Sequence, residues 1–419
     1  MPGTFQTADW VSARVVANIK NKLVIAEGFS KAHERDFEKE FAIGDSVRVK
    51  YPDQGLIREG LTYIGASPDR KYTTITVDNF FGIDLEWDSI EKALSMERSL
   101  EEIEEQYIEP RAATIAQEID SRAARFAYLN TNNVIGALGV TPTTLDTYNQ
   151  ARTRIFENAG WASAKRRSMV ITPQMVETAI TGTARGLFNT GGQENDIFRE
   201  GIIGTYGGFK WMESMSLYQH TSGIWTTVLS STTVSGSGQS GSSLLVAATT
   251  GDTFVAGDII TIAAVNNVNP RTKRSTGRLK QFKIMANATA AASAATLTIF
   301  PEIIGPGDPY QNVDALPLTA AVVQMWPGTT MVNGAATTGT LGMAYTDEAF
   351  ALVGIDLPMP KKSSMQMCEA YTDPDTGIQV SILQDFDFDA RKWKTRMDVA
   401  LGFGRLRADE CAVLVAGLR

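Results

Sequence analysis

The spacing of apolar residues near the start of the chain predicts two short helices followed by a long β-hairpin. Residues 8–26 and 30–41 carry apolar side chains at helical spacing, and we expect each helix to need a partner surface for its apolar face. Within 44–83 the period changes, and Val47–Tyr51 alternates apolar and charged residues in the manner of a strand. A two-stranded ribbon is marginally stable alone in water, so we expect this hairpin to lie against the core of the chain or against another copy.

The longest helical pattern follows this hairpin. Apolar residues recur three or four positions apart over 86–129, and Pro110, which lacks a backbone N–H, is expected to kink or break that helix. Further along, the pattern predicts a helix over 143–160 and a strand at Ser168–Thr172. A second helix is predicted over 173–184, where a proline occupies the first position.

Composition changes sharply over 213–346, where charged residues are scarce and Ala, Thr, Ser, Gly and Val dominate. Short β-like runs are separated by Gly, Asn and Pro, which predicts a compact all-β insertion, either a barrel or a sandwich. The sequence therefore indicates an α+β chain with an inserted all-β domain. After the insertion the pattern predicts strands at Phe350–Leu357, Ser364–Tyr371, Ile378–Phe388, Lys392–Phe403 and Ala412–Ala416.

Composition also disfavours several functions. The 419 residues predict two or three domains, and the net charge of −8 weighs against a protein whose main task is to bind nucleic-acid phosphates. Two cysteines and two histidines disfavour a disulfide framework, a zinc site and histidine-dependent catalysis, and we expect no cofactor. The first twenty residues show no apolar signal core and no stretch suits a membrane span, so we expect neither secretion nor a membrane partner.

Two motifs deserve a functional and a structural interpretation. Gly236–Gly241 matches the GxGxxG pattern of dinucleotide sites, but its flanks are rich in Ser and Thr, which favours a flexible loop. Asp385, Asp387 and Asp389 alternate with phenylalanines, so a strand would place their carboxylates on one face. These three residues are weak candidates for a metal site, and the alternative is the solvated side of a half-buried strand.

Basic residues cluster at Lys165–Arg167 and in a second set formed by Arg271, Lys273, Arg274, Arg278, Lys280 and Lys283. Contact with nucleic acid, contact with an acidic face of another subunit and a solvated surface all stay open for these clusters. The histidines, His33 and His220, are expected to be surface residues or satisfied structural ones. The candidates for subunit contact are Trp10, Arg48, Lys50, Arg58, Arg70, Lys71, Glu101, Glu102, Glu105, Arg271, Lys273, Arg274 and Arg278.

The order of these elements resembles the major capsid proteins of tailed bacteriophages, which have the HK-ninety-seven fold. Within that group the chain resembles the P-twenty-two-type coat proteins, which carry an insertion domain. The segments that carry the resemblance are Ser168–Gln174, Phe254–Ile262, Tyr345–Val353 followed by Leu357–Pro360, and Thr395–Gly404 followed by Arg407–Glu410.

The resemblance implies a protein that self-assembles into the icosahedral shell around packaged phage DNA and later changes from a procapsid to a mature form. It implies identical subunits in hexamers and pentamers, a scaffolding protein, a portal and double-stranded DNA on the inner face as partners. It also implies a virion location with assembly in the host bacterial cytoplasm, and no enzyme activity. The implied parts are an N-terminal arm (1–43), an extended hairpin loop (44–84), a spine helix with an α/β body (85–225), the inserted barrel-like domain (226–337) and a return to the body (338–419).

Other functions stay open from the sequence. An encapsulin-like compartment shell or another virion component is the principal alternative, and a cytosolic enzyme that uses the insertion to bind substrate is a more distant one. In the resembling family the stretch 230–243 would be the loop that reaches neighbouring capsomers, yet here it has no charged residue. We therefore expect an electrostatic contact with a neighbour to come from 266–281 instead.

Overall fold

The protein is described by a computed structural model that divides into two compact units. The first unit comprises 1–49, 73–123 and 350–405, and the second comprises 50–72, 124–349 and 406–419. The residues that the structure describes are 15, 17–19, 22–32, 46–50, 72–88, 109–158, 166–184, 204–225, 232–326, 336–355, 357, 367–372, 377–387, 389 and 392–417.

A six-stranded sheet forms the first unit. The strands lie in the order β1-β2-β20-β19-β18, and β17 also pairs with β20. In β2 the buried Ile75 and Val77 alternate with exposed threonines, as expected for a strand with one face on the core. The strands are β1 (Ser46–Lys50), β2 (Tyr72–Asp88), β17 (Phe350–Gly354), β18 (Met367–Thr372), β19 (Gln379–Asp387) and β20 (Lys392–Arg405).

The neighbouring β1 and β2 lie in the predicted hairpin, and residues 51–71 between them, with the predicted turn at 65–69, lie outside the described residues. However, β2 continues to Asp88, so the prediction that a helix begins at Glu86 was wrong. The register places Glu86 opposite Lys394 and Asp88 opposite Lys392 on β20. Ile83, Leu85 and Trp87 alternate with acidic residues, which is the period of a strand. Pairing with β20 stabilises this extended conformation over the helix that the same residues could form.

Helix α1 (Glu109–Asn130) carries Pro110 in its first turn. A proline there costs no hydrogen bond, because the first helical N–H groups have no partner within the helix. The buried carboxylate of Asp120 accepts backbone N–H bonds from Val24 at 2.8 Å, Ile25 at 3.1 Å and Ala26 at 3.0 Å, which pins the arm to this helix. The predicted helix over 8–26 ends in bends and a 3₁₀ turn at Ala26–Gly28, and most of the one predicted over 30–41 lies outside the described residues.

The second unit contains a mixed seven-stranded sheet with helices on it. The strands run in the order β3-β21-β16-β4-β6-β5, with β7 paired to β16. Side chains of α2, including Tyr148 and Ile155, pack with Val413 and Val415 of the central β21. The predicted helices over 143–160 and 173–184 and the strands at 168–172 and 412–416 are confirmed. The elements are β3 (Val134–Gly136), α2 (Leu145–Glu157), β4 (Arg167–Ile171), α3 (Pro173–Ala184), β5 (Thr205–Tyr206), β6 (Phe209–Glu213), β7 (Gln219–Thr221), β16 (Thr338–Thr346), α4 (Ala408–Cys411) and β21 (Ala412–Ala416).

The same unit contains an all-β domain with its own core. Its sheet runs β15-β11-β12-β14-β9-β8, and the two edges meet where Val323 donates to the Thr232 carbonyl and Val234 to the Ala321 carbonyl, each at 2.9 Å. The sheet therefore closes into a barrel around Trp225, Phe282 and other buried apolar side chains. The strands are β8 (Thr233–Val234), β9 (Gly241–Ala247), β10 (Thr253–Phe254), β11 (Ile259–Val268), β12 (Ser275–Ile284), β13 (Ala288–Thr289), β14 (Ala294–Ile303) and β15 (Val323–Met325).

These elements confirm the α+β class with an inserted barrel. Trp225, one residue before the predicted start of the insertion at 226, already belongs to the barrel core. Over the described part of the chain, no helix is long and apolar enough to cross a membrane.

Candidate functional site

The turn between β11 and β12 displays part of the predicted basic set on a rigid frame. The side-chain oxygen of Asn269 accepts backbone N–H bonds from Arg271 at 3.0 Å and Thr272 at 3.2 Å. The amide nitrogen of the same side chain donates to the Glu157 carbonyl at the end of α2, at 3.2 Å. As a result the turn that carries Arg271 and Arg274, both exposed, is held by three hydrogen bonds of the Asn269 side chain.

The other two barrel candidates for subunit contact face their own chain. Lys273 is half-buried, and burial lowers the pKa of its ammonium group while Glu410 and Asp308 act in the opposite direction. Arg278 is exposed but forms an ion pair with Glu157, with its Nε 3.2 Å from the carboxylate. Arg271 and Arg274 are therefore the cations of this turn with which a partner could pair.

Two members of the predicted basic set are buried, so none of the three surface interpretations left open for the set applies to them. Lys280 and Lys283 are 5% and 0% exposed. The Lys280 ammonium group donates to the Asn267 side-chain oxygen at 2.9 Å, and the Asn267 amide donates to the Asn158 oxygen at 2.7 Å. Burial lowers the pKa of both lysines, because a charged amine loses its hydration inside the protein.

Lys283, a residue of strand β12, packs against the C-terminal end of helix α1. Its Nζ donates to the Tyr128 carbonyl and, at 3.1 Å, to the Thr131 carbonyl, and it stands 3.8 Å from the centroid of the Tyr128 ring. The lysine thus replaces its lost hydration with carbonyl oxygens and an aromatic face.

His220 connects the same tyrosine to the barrel. Its Nδ1 lies 2.6 Å from the Tyr128 hydroxyl, and its Nε2 lies 2.9 Å from the carboxylate of Asp258. Asp258, fully buried at its side chain, also accepts backbone N–H bonds from Gly223 and Val255. His220 is thus a satisfied structural histidine, one of the two predicted alternatives.

A Tyr–His–Asp chain has the order of a nucleophile with its base and orienting acid, but the chemistry does not follow. Burial raises the pKa of the Tyr128 hydroxyl, so the phenol stays protonated. Burial likewise raises the pKa of the Cys411 thiol to about 12, which keeps it from forming the reactive thiolate. Tyr128 and Cys411 are also only 2% and 0% exposed, so a substrate could not reach either group in this conformation.

Gln281 completes a polar contact between the barrel and the segment that leaves α1. Its side chain accepts the Val134 N–H at 2.8 Å and donates to the Val134 carbonyl at 3.0 Å, and its backbone carbonyl accepts from Asn132 at 2.8 Å. We call this contact the barrel seam. Its members are Tyr128, Thr131, Asn132, Val134 and His220 on the body side and Asp258, Gln281 and Lys283 on the barrel side.

Sequence reasoning did not find the seam. A signal was nonetheless present, since Gln281 and Lys283 alternate with Phe282 and Ile284 at the end of strand β12. On a strand this alternation places two polar side chains on one face, and two such side chains next to Phe282 in a barrel wall require polar partners.

The acidic set on β19 lies beside lysines of β20. The register places Asp385 opposite Lys394 and Asp387 opposite Lys392. The Asp387 carboxylate pairs with the Lys394 ammonium at 2.6 Å and accepts the Asp389 N–H at 3.0 Å. Among the residues that the structure describes, no group of three or more His, Cys, Asp or Glu side chains is placed to hold a metal ion.

Two more candidates for subunit contact lie on β1, where Arg48 and Lys50 are exposed and the alternating Val47 and Val49 are half-buried. The glycine motif at Gly236–Gly241 leads into strand β9 rather than a helix, so it lacks the helix N-terminus that a dinucleotide site requires. The candidates that lie outside the described residues are Trp10, Arg58, Arg70, Lys71, Glu101, Glu102 and Glu105.

Comparisons with known proteins agree with the predicted resemblance. A family model described as P22 coat protein, gene protein 5, matches residues 5–413. A structure from Mycobacterium phage Che8 is 12% identical with a TM-score of 0.44, and covers 94% of this chain and 90% of its own. The capsid of cyanophage P-SCSP1u is 10% identical with a TM-score of 0.43, covering 93% of this chain and 86% of its own. The CUS-3 coat protein I-domain is 28% identical with a TM-score of 0.19, covering 23% of this chain and 95% of its own. No curated protein matches the chain.

Proposed function

The chain belongs to the P22 coat protein family and is a major capsid protein that forms a bacteriophage head shell, and on that premise we propose that identical copies meet in hexamers and pentamers of an icosahedral lattice. The match over residues 5–413, nearly the whole chain, is the observation that carries this proposal. The protein is a structural component of the virion and not an enzyme.

We further propose that the shell assembles in the host cytoplasm with a scaffolding protein and a portal, encloses double-stranded DNA and then changes from a procapsid to a mature form. The net charge of −8 supports weak, non-specific contact with DNA on the inner face, because like charges repel and packaged DNA must move as it enters. The five-part division of the chain belongs to the same proposal. It is supported by the barrel's hydrophobic core, a cluster of buried side chains separate from the one under the body sheet.

For contacts between copies, we propose that Arg271 and Arg274 pair with an acidic face of a neighbour. The support is their exposure, the rigid turn that carries them and the excess of acidic residues in every copy. Arg48 and Lys50 on the exposed face of β1 are proposed as a second contact of the same chemistry. In a shell each contact repeats many times, so modest ion pairs add up to a stable assembly.

Electron microscopy and sedimentation of the full chain, expressed with its scaffolding protein, test this function. We expect closed particles from the wild type. The Arg271→Glu/Arg274→Glu variant should fold, as judged by circular dichroism, but yield at least tenfold fewer particles. Lys210→Glu, which reverses an exposed cation on β6, is the matched control. Failure of the wild type to form particles contradicts the shell, whereas normal yield from the double variant contradicts only the contact.

A further inference from the structure

We infer that the inserted barrel is the C-terminal cap of helix α1, so that the last turn of the helix and the segment after it hold their conformation only while the barrel is closed. An α-helix ends with four backbone carbonyls that have no partner within the helix. In many helices a glycine just past the end adopts a left-handed conformation, which lets the following N–H groups donate to these carbonyls. Here the next residues are Thr131, Asn132 and Asn133, and the partners are side chains of the helix end and of the barrel.

The carbonyls at the helix end divide into a local and a remote set. The Asn130 side chain donates to the Phe126 carbonyl at 2.9 Å, and the Thr131 hydroxyl donates to the Ala127 carbonyl at 2.8 Å. These two bonds come from the helix end itself. The Tyr128 carbonyl instead receives its bond from Lys283, on strand β12 of the barrel.

The segment after the helix depends on the barrel in the same way. Lys283 also donates to the Thr131 carbonyl, and Gln281 binds both the N–H and the carbonyl of Val134. Since a buried backbone group without a partner is costly, opening β12 would leave this stretch with several unpaired groups. Val134 is the first residue of β3, which pairs in parallel with β21, so the cap also holds an edge strand of the body sheet.

The Tyr128 side chain links the helix end to the barrel by steric contact as well as by hydrogen bonds. Its hydroxyl is held by His220 and stands against the backbone of Gly257, where an added Cβ would lie 1.5 Å from the phenol oxygen. Gly257 has φ of +110°, a conformation that the β10–β11 connection needs and that favours glycine. The hydroxyl end of the ring therefore packs directly against the β10–β11 connection of the barrel.

This arrangement makes the barrel a conformational relay. A contact that a neighbouring molecule makes with the barrel reaches the helix end and β3 through the seam, because the three share one set of hydrogen bonds. The hydrogen bonds of the seam lie within a single chain, so the cap can be tested on unassembled protein, independently of shell formation.

Hydrogen exchange of the unassembled full-length chain, followed by mass spectrometry, tests the cap. Lys283→Met keeps a long apolar side chain but removes the donor. We expect amides of 124–136 to exchange at least tenfold faster in this variant, while those of the barrel strands β9 and β14 keep their rate. Arg274→Met, which removes an exposed cation from the same barrel, is the control and should exchange like the wild type. Unchanged exchange over 124–136, or an equal increase in β9 and β14, overturns the inference.

A second variant tests the coupling from the barrel side and decides the matter if Lys283→Met does not fold. Leu297→Ala removes a core side chain of the barrel that is not part of the seam. We expect exchange over 124–136 to rise at least tenfold together with β12, while α3 in the body keeps its rate. A barrel that opens while 124–136 stays protected contradicts the cap.

Discussion

Gly257 shows how a single residue can set the packing of this protein. It lies in the turn before β11, and the Tyr128 hydroxyl fills the space that a side chain would need. A larger residue there must displace a buried ring that also binds His220, because its Cβ would lie 1.5 Å from the Tyr128 hydroxyl oxygen and 3.1 Å from Cε1 of His220.

We predict that Gly257→Ala lowers the free energy of unfolding by more than about 3 kcal/mol, since it combines overpacking with backbone strain. Gly251→Ala is the matched control, because Gly251 also has a positive φ of 97° but its Cβ would meet no atom within 4 Å. That control should lose only about 1 kcal/mol. Urea denaturation followed by fluorescence measures both, and equal losses would contradict the steric role of Tyr128.

Because Lys283 is buried, we predict that the stability of the protein increases with pH. Burial holds its pKa in the folded chain well below the ordinary value of 10.5. The unfolded chain therefore binds more protons in this range, and stability increases as the pH rises from the lowered pKa towards 10.5.

The lysine should contribute a slope of up to about 1.4 kcal/mol per pH unit over that window. We expect Lys283→Met to remove this contribution, so that the difference in unfolding free energy between wild type and variant widens as the pH rises. Urea midpoints at pH 7, 8, 9 and 10 measure it, with Arg274→Met as the control. A difference that stays constant would show that the amine is not desolvated.

At the scale of elements, the turn between β13 and β14 carries backbone strain. Ala292 and Ser293 have φ of 51° and 63°, and they connect Ala291 and Ala294, which exchange backbone hydrogen bonds. Two consecutive left-handed residues between paired strands form the kind of turn that Asn-Gly favours. The chain therefore uses two residues here that are poorly suited to their conformation.

We predict that Ala292→Asn/Ser293→Gly raises the free energy of unfolding by about 1–2 kcal/mol, because it relieves this strain. Ser293→Ala, which keeps a Cβ at the strained position, should bring no gain. Thermal and urea unfolding measure both variants. A loss of stability in the double variant would contradict the assignment of strain to this turn.

The elements also show where pattern alone was sufficient. Helices α2 and α3 and strand β21 appear where their apolar spacing predicts them. The two helices form their backbone hydrogen bonds locally, and β21 is a short apolar strand that is buried along its whole length. The end of strand β2 was not predicted, since residues 86–88 fit a helical apolar stripe as well as an alternating one. Pairing with β20 decides between the two, and the sequence of β2 by itself contains no information about that partner.

For the whole molecule, the hairpin predicts a separation between folding and assembly. Strands β1 and β2 are neighbours in the sheet of the first unit, and the segment between them in sequence contains the candidates Arg58, Arg70 and Lys71. We predict that replacing residues 53–69 with a four-residue Gly-Ser linker leaves a folded chain that forms no closed particles. Circular dichroism and sedimentation measure the two properties, and a linker of the original length and the same composition is the control. Particles of normal size from the short variant would contradict a role for the turn in assembly.

The sequence by itself determined the class of this protein: the helical and alternating patterns, the uncharged insertion and the order of the parts are properties of residues close together in the chain. These patterns are local, and they were sufficient to predict an α+β chain with an inserted all-β domain, while the capsid function was implied by the resemblance of their order to a known family. Only the tertiary structure decided which charged residues face solvent. Lys280 and Lys283 look in sequence like Arg271 and Arg274, yet two of the four are buried. Whether a lysine on a barrel strand is exposed or caps a helix depends on a helix end about 150 residues earlier, and no spacing within the strand encodes that distance.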